Sequence, residues 1–170
     1  MKILTVFLLT ATTIIAAPDN IEHTRILSMD LPTTISNIES TYGQPVNVEL
    51  PHPQDPSPSG QWFKWKIKKK GVFLTALADD YSQIPNHNAS VRVLKIKPIN
   101  PDKPVKTIYG YTLNKTKKST IQADHKATIQ ESIHFTVKYY EDNIWTYYTC
   151  DKNGIVNEII QSTFNIDEAD

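Results

Sequence analysis

The residues able to do chemistry are few and scattered. The single cysteine, Cys150, closes the stretch "HFTVKYYEDNIWTYYTC". A cysteine nucleophile needs a histidine beside it, and only the fold can bring His125 or His134 there. The other histidines are His23, His52 and His87, and no two of the five are spaced at i, i+2 or i, i+4. Local metal motifs depend on such pairs, with carboxylates on the same element, so neither a metal nor a cofactor is expected. With five glycines, the chain has no G-x-S-x-G elbow, phosphate loop or dinucleotide fingerprint. The acid pairs Asp79–Asp80 and Glu141–Asp142 fall at strand ends and turns, where carboxylates are ordinarily solvated. The expectation is a protein that is not an enzyme.

Two clusters suit binding instead. In "QWFKWKIKKK" the alternation sends Phe63, Trp65 and Ile67 to one side and Trp62, Lys64, Lys66 and Lys68 to the other. Lysines beside a tryptophan suit an acidic partner, an anionic glycan or a lipid head group, and they also guard an edge strand against aggregation. Residues 134–159 hold five of the eleven Tyr and Trp residues. There Trp145, Tyr147 and Thr149 share one side, opposite Ile144, Thr146, Tyr148 and Cys150. Tyr and Trp anchor protein interfaces and also fill cores. Cys150 reads first as a small apolar residue. The candidate partner-binding residues are therefore Trp145, Tyr147, Trp62, Lys64, Lys66 and Lys68. The favoured partner is another protein. The alternative is an anion- or carbohydrate-binding module using the lysine-rich strand 62–70.

These residues must be positioned by the rest of the chain. Residues 1–17 carry one charge, Lys2, an apolar run and a small-residue end, the order of a secretory signal peptide. The apolar run is shorter than the roughly 20 residues of a spanning helix, and no later stretch is apolar enough to span. The expected location is exported, periplasmic or extracellular, which argues against nucleic acid as partner. An exported chain with one cysteine has no internal disulfide, so the fold rests on its core. Lys plus Arg and Asp plus Glu are 18 each, so net charge selects no partner. Two Asn-x-Ser/Thr sequons occur, at Asn88 and Asn114.

In "LPTTISNIESTYGQPVNVE", Thr33 or Thr34 caps a short helix with an Ile35, Ile38, Tyr42 stripe, which Gly43 and Pro45 end. Prolines at 51, 53, 56 and 58 make a stiff loop. Three strands follow, and the prolines at 98, 101 and 104 mark a boundary. A weaker helix with a cap at Thr116 comes next. Strands over 133–140, 144–150 and 155–164 then follow, joined by "EDN" and "DKNG" turns. The predicted fold class is α+β, with two repeats of a short helix followed by a three-stranded antiparallel meander, the two meanders either separate or joined in one continuous sheet. The predicted units are 18–100 and 101–170.

"TTISNIESTYGQPVNVE" followed by an aromatic-rich strand resembles the short helix, Gly-x-Pro turn and meander of the β-lactamase-inhibitor-like superfamily. "YGYTLNKTKKSTI" is similar to the start of a second copy. The superfamily includes small outer-membrane assembly lipoproteins and tandem-repeat secreted inhibitors. The resemblance implies a small exported protein that binds another protein, of inhibitor, immunity or envelope-assembly type. Two departures stand against it. No lipoprotein cysteine follows the leader, and Lys126 and Thr128 occupy the places of Gly43 and Pro45. No binding residue carries over by motif.

Overall fold

The computed structural model describes residues 25–27, 29–52, 60–106, 111–124, 129–130 and 137–168. The leader over 1–17, Pro53, Pro56, Pro58, His23, His125, His134 and the start of the strand expected at 133 lie outside the described residues.

Strands β1 (Arg25–Ile26) and β2 (Met29–Asp30) form a small hairpin, and β3 (Thr33–Thr34) leads into helix α1 (Ile35–Tyr42). The ends of α1 are those its residue types dictate. Extended Thr34 accepts a hydrogen bond on its hydroxyl from the Asn37 N–H, 3.3 Å. Gly43, at φ 80°, donates its N–H to the Glu39 carbonyl, 2.8 Å. Ile35 and Ile38 are fully buried. Trp65 donates its indole N–H to the Gly43 carbonyl, 2.8 Å, which ties the helix end to the sheet.

The remaining strands are β4 (Asn47–Glu49), β5 (Gln61–Ile67), β6 (Val72–Ala78), β7 (Ser90–Pro98), β8 (Val105–Lys106) and β9 (Thr112–Leu113). Helix α2 (Lys118–Asp124) follows. Then come β10 (Ile129–Gln130), β11 (Val137–Glu141), β12 (Ile144–Cys150), β13 (Val156–Ser162) and a 3-10 turn at Ile166–Glu168. Nine strands form one antiparallel sheet in the order β10-β11-β12-β13-β7-β6-β5-β4, with β3 paired to the start of β7.

This corrects the expected α+β fold of two helix-plus-meander repeats. Strand accounts for 47% of the described residues and helix for 15%, so the molecule is mostly β. The strands belong to one large sheet because β13 pairs with β7, from Ile159↔Ile96 to Ser162↔Val93. That pairing gives partners to backbone groups that two separate meanders would leave at open edges. The helices are too small to define repeats; α2 buries only Ile121.

The main core lies on the sheet face carrying Phe63, Trp65, Leu74, Leu94, Tyr148 and Ile159, packed with Ile35, Ile38 and Ile121. A smaller apolar cluster, Val93, Tyr147 and Ile160, lies apart from it. The turns follow side-chain chemistry. Asp142 and Asn143, at φ 51° and 63°, make the two-residue β11–β12 turn, the conformation in which Asp and Asn are tolerated. Gly60, at φ 86°, admits no side chain, because a Cβ there would strike the Ala78 carbonyl oxygen.

Candidate functional site

Strand alternation sends Trp62, Lys64 and Lys66 to the outer face, while Phe63, Trp65 and Ile67 are buried in the main core. Pairing then builds rows across that face. One row runs Glu49, Trp62, Leu77, Val93, Ser162, Trp145, Tyr140. The next runs Asn47, Lys64, Thr75, Lys95, Ile160, Tyr147, Lys138.

The two ends of these rows differ. At the β11–β13 end the chain covers its own aromatics. Tyr147 is fully buried. Its hydroxyl donates to Asn165 Oδ1, 3.0 Å, and accepts from the Ile166 N–H, 2.9 Å. Phe164 and Ile166 pack against this cluster. Lys138 and Asp167 form an ion pair at 2.9 Å, with side chains only 6% and 4% exposed. The Lys138 ammonium also lies 5.2 Å from the Trp145 ring centroid, and the Tyr140 ring packs on Trp145 at a tilt, with centroids 4.7 Å apart. The Arg92 guanidinium caps Phe164 at 4.6 Å, and the Thr163 N–H donates to the Arg92 carbonyl, 3.0 Å. Tyr147 is therefore a packing residue and no partner can reach it as an anchor. Trp145 is half-buried among its neighbours.

Toward the β4–β7 end the same segment packs on Val93 and Leu77 and then gives way to a more open surface. Trp62 is half-buried, and Lys64 and Lys66 are exposed. Their ammonium groups lie 4.9 and 5.7 Å from the Phe73 ring centroid. Two hollows meet here. One, of about 330 Å³, lies between the sheet and the C-terminal segment; Leu77, Val93, Ile160, Phe164 and Ile166 give it apolar walls. The other, of about 260 Å³, is polar and includes Asn47, Glu49, Lys64 and Thr75. Trp62 and Lys95 line both, so the hollows form one groove with an apolar end and a polar end. Lys95 is held 3.8 Å from Glu158 at its rim. Lys68 is not in this groove; it stands in the β5–β6 turn.

No protein-family model matches the chain, and no curated protein matches it. The structure is similar to that of a cysteine-rich secretory protein from Staphylococcus aureus, at 10% identity and a TM-score of 0.50. The match covers 78% of this chain and 44% of that one, so the chain spans less than half the length of that protein. The likeness is one of fold alone.

The remaining candidates for chemistry serve the framework. Cys150 is half-buried and packs against the main core. His87 sits with Nδ1 2.8 Å from Glu39 Oε1. Asp80 is held below the usual carboxylate range by hydrogen bonds from Ser82 and Asn86; it and the buried Gln61 fasten the 80–86 loop. Asp151 is lowered chiefly by the Ile155 N–H, then by Asn153, in the β12–β13 turn. Among the described residues, no group of three or more His, Cys, Asp or Glu side chains is placed to hold a metal ion. Nor is any helix among them long and apolar enough to cross a membrane.

The alternation in the sequence placed Trp62, Lys64 and Lys66 on one face, as β5 does, but it did not point to Lys95, Glu158, Phe164 and Ile166 beside them. Lys95 and Lys97 alternate in "RVLKIKP", as the β5 lysines do, which is a legible signal. "TFNI" gave only an apolar pair at i, i+2, with nothing to say which face it would cover.

Proposed function

We propose that the chain is an exported, non-enzymatic binding domain that takes another protein in the groove on the open half of its sheet. Trp62 is the anchor, and Lys64, Lys95 and Glu158 form the polar rim. One observation carries this reading: a half-buried tryptophan joins an apolar hollow, walled on one side by Phe164 and Ile166, to a polar hollow on the same sheet face. Interface anchors are typically aromatic residues seated in pockets and ringed by polar groups. A leader-like segment at residues 1–17 supports action outside the cytoplasm, in the periplasm or beyond the cell.

Site-directed photocrosslinking tests the proposal. With a benzophenone side chain at Thr75, in the groove, the exported protein should yield a discrete crosslinked product. The same group at Lys152, on the β12–β13 turn, should not. Trp62→Ala should remove the product, because truncating an anchor costs about 2 kcal/mol or more. Equal crosslinking from both positions, or none from Thr75, would overturn it.

A further inference from the structure

A separate concavity lies away from the groove, where two loops converge. The β5–β6 turn is Lys68, Lys69, Lys70 and Gly71. Gly71, at φ 72°, closes it, and the N–H groups of Lys70 and Gly71 both donate to the Ile67 carbonyl, at 3.1 and 3.0 Å. The segment after β7 is fastened against this turn by the Ile99 N–H, which donates to the Gly71 carbonyl at 2.9 Å. Asn114 fixes the far side. Its amide donates to the carbonyls of Lys103 and Asn100, at 3.0 and 3.4 Å.

Between these loops is a hollow of about 610 Å³. Six lysines line it, namely 66, 68, 69, 70, 103 and 106, with Ile99 and Val105 among the apolar residues of its wall. Among the described residues, no carboxylate lines it. None of the six lysines has an ion-pair partner among the described residues. Like charges within one Debye length, about 8 Å at physiological ionic strength, repel one another, and a concave protein wall focuses their field. Two held loops keep this repulsion in place, and a multivalent anion relieves it.

We propose that this hollow binds a chain bearing successive phosphate groups. Ammonium groups act as compact point charges that suit tetrahedral oxyanions and impose none of the planar fork geometry of arginine. Several lysines around one recess suit several phosphates on one ligand. Two rival polyanions fit less well. Single-stranded nucleic acid is gripped by stacking on aromatic rings, and among the described residues no ring lines the hollow. A membrane surface is flat and favours inserted apolar side chains, yet none of the exposed large hydrophobic residues, Val46, Leu50, Tyr81, Ile84 and Tyr140, lines it. The proposal does not rest on the groove around Trp62.

The test is titration of the full chain with inorganic polyphosphate of defined length, followed by calorimetry. Parallel titrations use polyglutamate of equal charge, a single-stranded oligonucleotide, and vesicles of anionic or neutral lipid. Two variants divide the site: Lys68→Gln/Lys69→Gln/Lys70→Gln, and Lys103→Gln/Lys106→Gln. Lys152→Gln is the control. The triple variant should weaken polyphosphate binding about tenfold, the sum of several modest exposed pairs. The double variant should weaken it less, the control should not, and the melting temperatures should stay together. Raising the salt should weaken binding steeply. The proposal is overturned if polyphosphate does not bind, or if either cluster variant binds like the parent. It is equally overturned if polyglutamate, the oligonucleotide or the anionic vesicles bind as tightly.

Discussion

The outer face of the sheet has two halves built by the same rule and finished differently. In both, alternation sets tryptophan and tyrosine or phenylalanine beside lysine: Trp145, Tyr147 and Lys138 in one half, Trp62, Phe73 and Lys64 in the other. At β11–β13 the C-terminal segment lies over the aromatics and is fastened by the Lys138–Asp167 pair and the Tyr147 hydroxyl. Toward β4–β7 the segment packs on Val93 and Leu77, and beyond them the described residues leave the same sort of surface as a groove. Residue type alone therefore does not separate core from binding surface in this sheet. A few residues of tail, with their polar fastenings, decide it.

Variants can break this comparison from either side. The largest effect is expected for Tyr147→Ala, which empties the centre of the closed half. A fully buried ring cut to alanine costs about 3–5 kcal/mol, to be read from the midpoint of chemical denaturation. A change as small as that of a surface residue would mean that the closed half is not packed. Asp167→Asn comes next. Removing one charge of a buried pair leaves the other uncompensated, at about 3 kcal/mol. Hydrogen exchange should show the Phe164–Ile166 amides losing protection before the β5–β7 amides do. Trp62→Ala, in the open half, should change stability by about 1 kcal/mol or less while removing partner binding.

How far these features were legible in the sequence depends on their range. Helix α1 was readable because its signals are local: a threonine cap, an isoleucine stripe and Gly43. The β5–β6 hairpin was readable from strict alternation and a lysine-glycine turn. The joining of β13 to β7 was not, because a pairing between residues some sixty positions apart leaves no local signature. The same gap misplaced Tyr147. Tyr and Trp serve interfaces and cores alike, so residue type did not tell that this ring is covered. Phe164 and Ile166 supply that cover from an unpatterned tail. The lysine hollow shows the same limit. Lys68 to Lys70 form a visible run, but Lys103 and Lys106 join them only through hydrogen bonds made by Gly71 and Asn114.

The smallest effect expected is one of pH. Asp80 and Asp151 have folded pKa values below the ordinary carboxylate value. Their contribution is present above the unfolded value, about 3.9, and is lost as pH falls through the folded one. Acidification below about pH 4 should thus lower the melting temperature. Asp151→Asn should flatten that acid limb and leave the groove unaffected at neutral pH. An unchanged limb in both Asp80→Asn and Asp151→Asn would assign the acid sensitivity elsewhere.

Hydroxyl-radical footprinting of the free protein, read residue by residue by mass spectrometry, tests the division of the sheet most directly. Trp62 should be oxidised readily. Tyr147 should be protected to the same degree as Trp65, which is buried in the main core at 1% exposure. If Tyr147 is instead oxidised as fast as Trp62, the tail does not close that half and the contrast between the two halves fails.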